Sequence, residues 1–344
     1  LDALDKVTGK AKYAGDIQLP GMLYARHLRP PAHSSVLQSV DTSKAEKIPG
    51  VVIVNQDEIV AALHEDPEQA ERALGLIEAE WQTPKPHVDE TTIWDYLRSR
   101  DPGGEPDDVR GSVETGAGQS AKRFSNTYRA GYWAHAPIET HTATASMQDG
   151  KITVWSSTQS PFGNRAAVSE ALGIPEEKVR VITPYVGGGF GGKSPAYHAI
   201  EAASLTRIVG RPVQVAYTRA EEFFFDTFQP AAFIEIDSGL DGEGGISLWD
   251  YHVYFAGDRG AEQLYDVPNS QIVVHSQGWR APGVHPFATG AWRAPGANIN
   301  IFAKESQVDV MAAAAGIDPI EFRLRNTSDK RLRSVLEAVA EAYG

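Results

Sequence analysis

The amino-acid sequence predicts an α+β fold, a mixed α/β arrangement in which helices accompany mixed sheets. Two observations support this class. Runs with the alternation of half-buried strands recur along the chain, for example at 124–133 and 151–155. Runs with the spacing of amphipathic helices lie among them, for example at 65–79. No internal repeat or low-complexity segment interrupts this pattern.

The first 82 residues are predicted to form a small α/β domain. Strand-like runs at 22–28 and 51–54 precede the amphipathic run EDPEQAERALGLIEA at 65–79. The next residues, 83–119, are rich in helix and strand breakers and contain PKP, DPGGEPDD and TGAG. We therefore expect a linker or a surface excursion at 83–119, and a second domain over 120–344.

The second domain is expected to contain both strands and helices. Its strands are predicted at 124–133, 143–147, 151–155, 179–183, 233–237 and 247–255. Its main helices are predicted at 160–173, 197–209 and 300–315, with another that starts at 318. Ser160 before Pro161 has the residue types of a helix cap and a first helical turn. Thr218 and Asp318 are each followed three residues later by Glu, as in a capping box.

The composition excludes several classes of function. Lys plus Arg number 32 against 45 Asp plus Glu, so the chain of 344 residues has a net charge of −13. An acidic chain without a basic block is a poor partner for nucleic-acid phosphates or anionic lipid. No run approaches the ~18 consecutive apolar residues of a membrane-spanning helix, so we expect neither nucleic-acid binding nor membrane insertion. The compartment, cytoplasmic or periplasmic, stays open.

The sequence contains no Cys. Disulfides, thiolate zinc sites and cysteine-held iron–sulfur clusters are therefore excluded from this chain. No pair of histidines has the spacing of H-E-x-x-H, and we predict that protein side chains bind no metal directly.

The glycine-rich run 187–194 (GGGFGGKS) is the most informative part of the sequence. Five glycines around Phe190 indicate a backbone that passes close to a ligand or adopts positive φ. The run fits both the phosphate-loop pattern G-x-x-x-x-G-K-[ST] and the dinucleotide pattern G-x-G-x-x-G. Pro184 and Pro195 weaken both matches. A nucleotide loop, a structural glycine turn and a loop whose backbone lies against a cofactor all remain open here.

Five segments in order resemble the xanthine oxidase and aldehyde oxidase family, whose large subunits bind molybdopterin. These segments are 5–16 (DKVTGKAKYAGD), 155–161 (WSSTQSP), 186–193 (VGGGFGGK), 290–296 (GAWRAPG) and a tail with ESQVD at 305–309 and DPIEFRLRN at 318–326. They span nearly the whole chain, and their combination is specific. The short first domain looks most similar to the isoquinoline 1-oxidoreductase branch. The resemblance implies a small hammerhead-like domain followed by a first molybdopterin-binding domain.

The resemblance also implies a reaction. Members of the family hydroxylate an aldehyde or an N-heterocycle with oxygen from water, on molybdenum held by molybdopterin. We expect the cytosine dinucleotide form of the cofactor. The electrons leave through iron–sulfur clusters, which here would have to lie on a partner chain. The cofactor performs the redox step, and the protein positions the reactants and moves protons.

The family's cofactor contacts map onto loop residues of this chain. They are Gln159, Gly188, Gly189, Phe190, Gly191, Arg293 and Ala294. The resemblance implies that the Gln159 amide hydrogen-bonds an oxygen ligand of the metal; the alternative is a solvated Gln near a helix cap. Trp292 is expected to shape the substrate entrance, with ordinary core packing as its alternative.

Several features depart from the purine-oxidising members. Ser194 stands where those enzymes carry a Glu that helps to hold the purine, and no aromatic residue follows Arg293 closely. A purine substrate is therefore not expected. His135 and Glu139 also resemble a family segment, and we interpret them as buried structural residues.

The family's catalytic glutamate belongs to a Gly-x-Gly-Glu motif in a second molybdopterin-binding domain. This sequence has no such motif; Gly116-Ala117-Gly118 is followed by Gln119. We assign no catalytic residue and expect a split subunit or a fragment that is inactive alone. The expected partners are a chain with the second domain, an iron–sulfur subunit, and a flavin or cytochrome electron acceptor. A P-loop-like nucleotide-binding enzyme and a non-catalytic scaffold of the same fold are the alternatives.

Overall fold

The computed structural model describes residues 2–56, 59–276, 278 and 283–343. The strands in these residues are β1 (Leu23–His27), β2 (Val36–Asp41), β3 (Val52–Gln56), β4 (Ile59–His64), β5 (Glu78–Gln82), β6 (Glu105–Arg110), β7 (Lys122–Ala130), β8 (Thr142–Gln148), β9 (Lys151–Ser156), β10 (Val179–Ile182), β11 (Val213–Ala216), β12 (Ala232–Leu240), β13 (Ile246–Tyr254) and β14 (Ser270–His275). The helices are α1 (Ala3–Val7), α2 (Pro67–Leu74), α3 (Ile93–Ser99), α4 (Val113–Gln119), α5 (Pro161–Leu172), α6 (Tyr197–Val209), α7 (Arg219–Phe225), α8 (Ala297–Ala315), α9 (Pro319–Arg325) and α10 (Lys330–Tyr343). Three short 3₁₀ turns cover Ala14–Asp16, Ala45–Lys47 and Glu176–Lys178. This mixture of helices and mixed sheets confirms the predicted α+β class.

The chain forms two compact units, each built from two separate stretches. The first unit contains Leu1–His87 and Ala134–Asp226, and the second contains Val88–Trp133 and Thr227–Gly344. This division differs from the three consecutive segments predicted from the sequence, 1–82, 83–119 and 120–344. Residues 83–119, predicted as a linker or surface excursion, contain α3, β6 and α4. Linear patterns could not show this, because the strands that pair are far apart in the chain.

The first unit is organised around a seven-stranded mixed sheet in the order β10-β9-β8-β11-β1-β4-β3. Its central strands join distant parts of the sequence, since β1 pairs in parallel with β11 from Leu23 opposite Val213. Helices α5 and α6 bury small and branched residues against this sheet, including Val168, Ala199 and Leu205. A separate two-stranded sheet pairs β2 with β5.

The second unit contains a five-stranded sheet in the order β6-β14-β13-β12-β7. The long helix α8 packs against β12 and β7. Its buried face is partly polar: the Gln307 amide accepts hydrogen bonds from Asn126 and Tyr128 and donates one to Ser238. Buried polar groups must be paired in this way to avoid a desolvation cost.

Most of the predicted elements are confirmed, and two details are wrong. Helix α6 occupies the predicted residues, and the capping box at Thr218 forms. The predicted helix at 65–79 ends at Leu74, because Gly75 caps it and the following residues form β5 on β2. Ser160 precedes α5 as predicted, but its side chain makes no capping hydrogen bond. Within the described parts of the chain, no helix combines the length and apolar character that a bilayer crossing requires.

Candidate functional site

Two loops of the first unit leave the same edge of its sheet. Strands β9 and β10 are parallel, with Ile152 opposite Val179 and Trp155 opposite Ile182. Their carboxyl ends therefore lie side by side, the position at which open α/β sheets bind ligands. The loop 157–160 leads from β9 into α5, and the loop 183–196 leads from β10 into α6. The glycine run thus follows a parallel β–α–β crossover, which the sequence did not reveal.

Gln159 connects the two loops. Its backbone N–H donates to the Lys193 carbonyl oxygen at 2.9 Å, and the Thr158 hydroxyl donates to the same oxygen at 3.0 Å. In return, the Gly191 N–H donates to Gln159 Oε1 at 2.9 Å. The last bond fixes which end of the amide meets the glycine run. It leaves the Nε2 donor of an exposed side chain for another acceptor.

The glycine run passes so close to Gln159 that a side chain at residue 189 would displace the Gln159 amide. A Cβ at Gly189 would lie 2.4 Å from Gln159 Oε1. A tight turn follows, in which the Gly192 N–H donates to the Gly189 carbonyl oxygen at 2.9 Å. Its central residues have positive φ, 54° at Phe190 and 118° at Gly191. The sequence predicted a close backbone approach or positive φ here, and the structure has both.

Phe190 holds a strained conformation without being packed in a core. A residue with a Cβ at φ 54° costs of the order of 1–3 kcal/mol, and the Phe190 side chain is 42% exposed. Among the described residues, the N–H groups of Gly188, Gly189 and Phe190 donate to no acceptor. Three successive free donors next to strained backbone are typical of a segment that receives oxygen atoms of a ligand.

The side chain of Glu139 contacts both ends of the glycine run. Glu139 Oε2 accepts hydrogen bonds from the Gly187 N–H and from Lys193 Nζ, both at 2.8 Å. The Lys193 side chain is fully buried. Burial lowers the pKa of Lys193, and the contact with Glu139 opposes this shift. A phosphate-loop lysine must reach the nucleotide phosphates, so this geometry argues against the nucleotide-loop interpretation.

Two buried histidine–carboxylate pairs, His141 with Glu222 and His135 with Asp226, lie next to the glycine run. His141 Nδ1 lies 2.7 Å from Glu222 Oε1, and His141 Nε2 lies 3.0 Å from the Gly192 carbonyl oxygen. Both partners are acceptors, so both ring nitrogens must carry protons. Burial alone would lower the pKa of His141, but the hydrogen bond and charge of Glu222 raise it. His135 Nδ1 is similarly placed, 2.8 Å from Asp226 Oδ2.

Three of these buried residues have potential ligand atoms within 4.8 Å of one another: His141, Glu222 and Asp226. In the described residues they are the one group of three that could hold a metal ion. His141 and His135 already hydrogen-bond the two carboxylates. For this group, the absence of a bound metal stays a prediction.

The contacts that hold the glycine run in place were not predicted from the sequence. Glu139 and His135 were interpreted as structural, and their partners were not identified. Glu139 lies 54 residues before Lys193, and His141 lies 81 residues before Glu222. No local spacing signals such pairs, although a charged Lys next to five glycines needs an acidic partner if it is buried.

The second unit carries the other predicted residues, on the loop before α8. Trp292 packs edge-to-face on Trp133, with ring centroids 5.3 Å apart. Arg293 and Ala294 are exposed. Ala294 has φ 58°, a second strained position at a predicted site residue. The structure thus brings Gln159 and Gly188–Gly191 together within the first unit and presents Trp292, Arg293 and Ala294 on one loop of the second.

The sequence matches the family described as molybdopterin cofactor-binding domain over residues 104–327. A nicotinate dehydrogenase subunit from Pseudomonas putida is 30% identical, in an alignment that covers 99% of this chain and 31% of that protein. A probable xanthine dehydrogenase subunit from Bacillus subtilis is 31% identical over 94% of this chain and 50% of that protein. The chain therefore spans about a third to a half of the length of these two curated relatives.

A solved structure also has the same fold. Aldehyde oxidoreductase from Desulfovibrio gigas aligns with a TM-score of 0.81 at 20% sequence identity, over 99% of this chain and 46% of that one. At this identity the likeness concerns the fold alone, and it agrees with the α+β class derived above.

Proposed function

Because this chain belongs to the molybdopterin cofactor-binding domain family, we propose that it forms one wall of the cofactor pocket in a molybdenum hydroxylase. The observation that carries the proposal is the contact of Gln159 with the glycine run. A Cβ at residue 189 would occupy the space between the backbone of the run and the Gln159 amide. Family membership confirms the resemblance seen in the sequence, and the assignment of individual residues is our proposal.

The residues present fit an oxygen-rich, flat cofactor. The backbone at Gly188, Gly189 and Phe190 offers hydrogen-bond donors, and Gly191 fixes the amide of Gln159 so that Nε2 can donate as well. We propose that Arg293 and Ala294 contribute further contacts and that Trp292 limits access for the substrate. When bound, molybdopterin and its metal would supply the redox chemistry of a hydroxylation with water-derived oxygen.

The contribution of this chain is binding and positioning. Gln159 can donate a hydrogen bond but cannot accept a proton, so it would orient an oxygen atom and not act as a base. Glu139 is already hydrogen-bonded to Gly187 and paired with Lys193, which makes it unsuitable as the general base. We therefore propose that the base is a glutamate outside these residues, on a second molybdopterin-binding domain, and that this chain is inactive alone.

The wider assembly follows from the same proposal. Without Cys, the chain cannot hold the iron–sulfur clusters through which electrons would leave. An iron–sulfur partner and a flavin or cytochrome acceptor are proposed, together with the cytosine dinucleotide form of the cofactor. An aldehyde or an N-heterocycle is the proposed substrate class, which the names of the relatives above support. Ser194 has no carboxylate with which to bind a purine, so a purine is not the proposed substrate.

The test is metal and pterin analysis of the native complex that contains this chain, with partners identified by mass spectrometry. We expect about one molybdenum per chain. Gln159→Leu should lower this content, because the Gly191 N–H loses its acceptor and the Nε2 donor is removed. Gln38→Leu, at an exposed glutamine of β2, is the matched control and should leave it unchanged. A complete complex without molybdenum would support the scaffold alternative, and equal molybdenum in both variants would contradict the role of Gln159.

A further inference from the structure

Two histidines face each other on neighbouring strands of the second unit's sheet. Strands β13 and β14 are parallel, and the register sets His252 opposite Val273 and Tyr254 opposite His275. The two imidazoles therefore stand diagonally on the same face. Nδ1 of His252 and Nε2 of His275 are 3.0 Å apart.

The outer nitrogens of both rings are occupied by carboxylates. His275 Nδ1 lies 3.0 and 3.1 Å from the two oxygens of Asp101, and His252 Nε2 lies 3.2 Å from Asp250 Oδ1. Carboxylates only accept hydrogen bonds, so these outer nitrogens carry protons. In a neutral imidazole the other nitrogen then has a lone pair. When both rings are neutral, the two facing nitrogens present lone pairs 3.0 Å apart, and a cation bound by both nitrogens would hold the rings together.

From this geometry we propose that His252 and His275 bind a divalent transition-metal ion of the class that prefers imidazole nitrogen, such as Zn²⁺, Ni²⁺ or Cu²⁺. Histidine ligands of metals commonly donate their outer N–H to a carboxylate, which fixes the tautomer and strengthens the ligand. Asp101 and Asp250 occupy those outer positions. With metal–nitrogen bonds of about 2.0–2.1 Å, nitrogens 3.0 Å apart would subtend roughly 95° at the ion, so both can bind one ion as neighbouring ligands.

The charges around the two histidines favour a cation. Glu235 and Asp237 of β12 lie opposite His252 and Asp250 and add negative charge to this face, part of it paired with Arg98. The His252 side chain is 30% exposed, so water can complete the coordination.

Two neighbours pack against the His275 ring. A Cβ at residue 104 would lie 2.7 Å from His275 Nε2, so a side chain larger than that of Gly104 would collide with the ring. The Tyr254 ring stacks on His275 with centroids 4.0 Å apart and fixes the plane of the ligand.

The experiment is calorimetric titration of the purified full chain with Zn²⁺ at pH 7.5. We expect one site that is lost in His252→Ala and in His275→Gln, and that is retained in His87→Ala, which removes an exposed histidine outside the pair. Circular dichroism verifies that the variants fold. Asp250→Asn keeps both ligands and should weaken Zn²⁺ binding by about 10-fold or more, whereas Asp237→Asn should leave it nearly unchanged.

The titrations distinguish a metal ion bound by the two histidines from a proton shared between them. If only a shared proton lies between the rings, the wild type and the histidine variants will bind Zn²⁺ equally or not at all, and the proposal is overturned. Loss of binding in a variant that is folded supports it. A uniform effect of Asp237→Asn and Asp250→Asn would show that general negative charge, and not the outer-nitrogen contact, controls binding, which also overturns the proposed geometry. The result does not depend on whether the chain binds molybdopterin.

Discussion

Replacing Lys193 by Met is the sharpest test of how the glycine run is held. The substitution keeps the length of the side chain but removes the ammonium group that contacts Glu139 at 2.8 Å. The Lys193 side chain is fully buried and that of Glu139 is only 13% exposed. Removing one member of such a pair leaves the other charge without its counterion in a medium that solvates it poorly.

The burial and the remaining hydrogen bonds of this pair give the expected loss in the free energy of unfolding. Breaking a buried ion pair typically costs about 3–5 kcal/mol. Glu139 keeps its hydrogen bonds from the Gly187 and Ala14 N–H groups, so we expect the lower end, about 3 kcal/mol. At about 2–4 °C per kcal/mol for units of this size, the melting temperature should fall by about 6–12 °C. The double variant with Glu139→Gln should recover most of this loss, because a neutral amide can still accept from the Gly187 N–H.

The assay is thermal and urea unfolding followed by circular dichroism, with Lys178→Met as the control at an exposed lysine. Lys178→Met should change the melting temperature by less than about 1–2 °C. If Lys193→Met is as stable as the wild type, the buried pair contributes nothing and the support assigned to Glu139 is wrong. If Lys193→Met keeps its stability and loses ATP binding instead, the nucleotide-loop interpretation is restored.

Three further predictions concern separate features. Gly189→Ala should lower the molybdenum content of the native complex, because its Cβ would lie 2.4 Å from Gln159 Oε1 and would displace the amide. Gly131→Ala, where a Cβ meets nothing within 4 Å, should leave the content unchanged. Equal metal contents in the two variants would contradict the role of the close approach. Glu222 raises the pKa of His141 above its ordinary 6.5, so the stabilisation is complete below that value and is lost as the pH rises through the folded pKa. The difference in unfolding free energy between the wild type and His141→Gln should therefore shrink from pH 6 to pH 9, and a difference that grows would refute the assignment. Asp318→Ala removes the cap of α9 and should cost about 1 kcal/mol in urea unfolding.

Local signals predicted the elements that depend on local structure. Helix α6 needs only its own spacing and the terminal Gly210, which takes the left-handed conformation at its end, and its predicted bounds are correct. The helix predicted at 65–79 extends too far because the residues after Gly75 pair with β2, about 40 residues earlier in the chain. A preference within one segment cannot reveal a partner strand elsewhere in the sequence.

The candidate site was predictable from the sequence only in part. The five glycines around Phe190 predicted a close backbone approach, whereas Gln159 and the loop at Arg293 were named as candidate cofactor contacts because of the resemblance to the family. The sequence did not identify the link between Gln159 Oε1 and the Gly191 N–H, since a side chain that accepts from a distant backbone group leaves no pattern in the sequence. The pair of His252 and His275 was missed for the same reason: it has no metal-ligand spacing, and it depends on parallel pairing of β13 with β14.

The three interpretations of the glycine run differ in which group neutralises the positive charge of Lys193. A nucleotide loop requires Lys193 to be directed at phosphate, and a merely structural turn has no use for free N–H groups beside a strained Phe190. In this chain Glu139 neutralises the lysine within the protein, so the positive charge stabilises the loop and is not available to a ligand. The donors that face outward are then neutral backbone and amide N–H groups. Backbone N–H groups of this kind can receive the oxygen atoms of a ligand without the help of the lysine charge. We therefore expect the run to contribute hydrogen-bond donors, and not a positive charge, to the cofactor that we propose it binds.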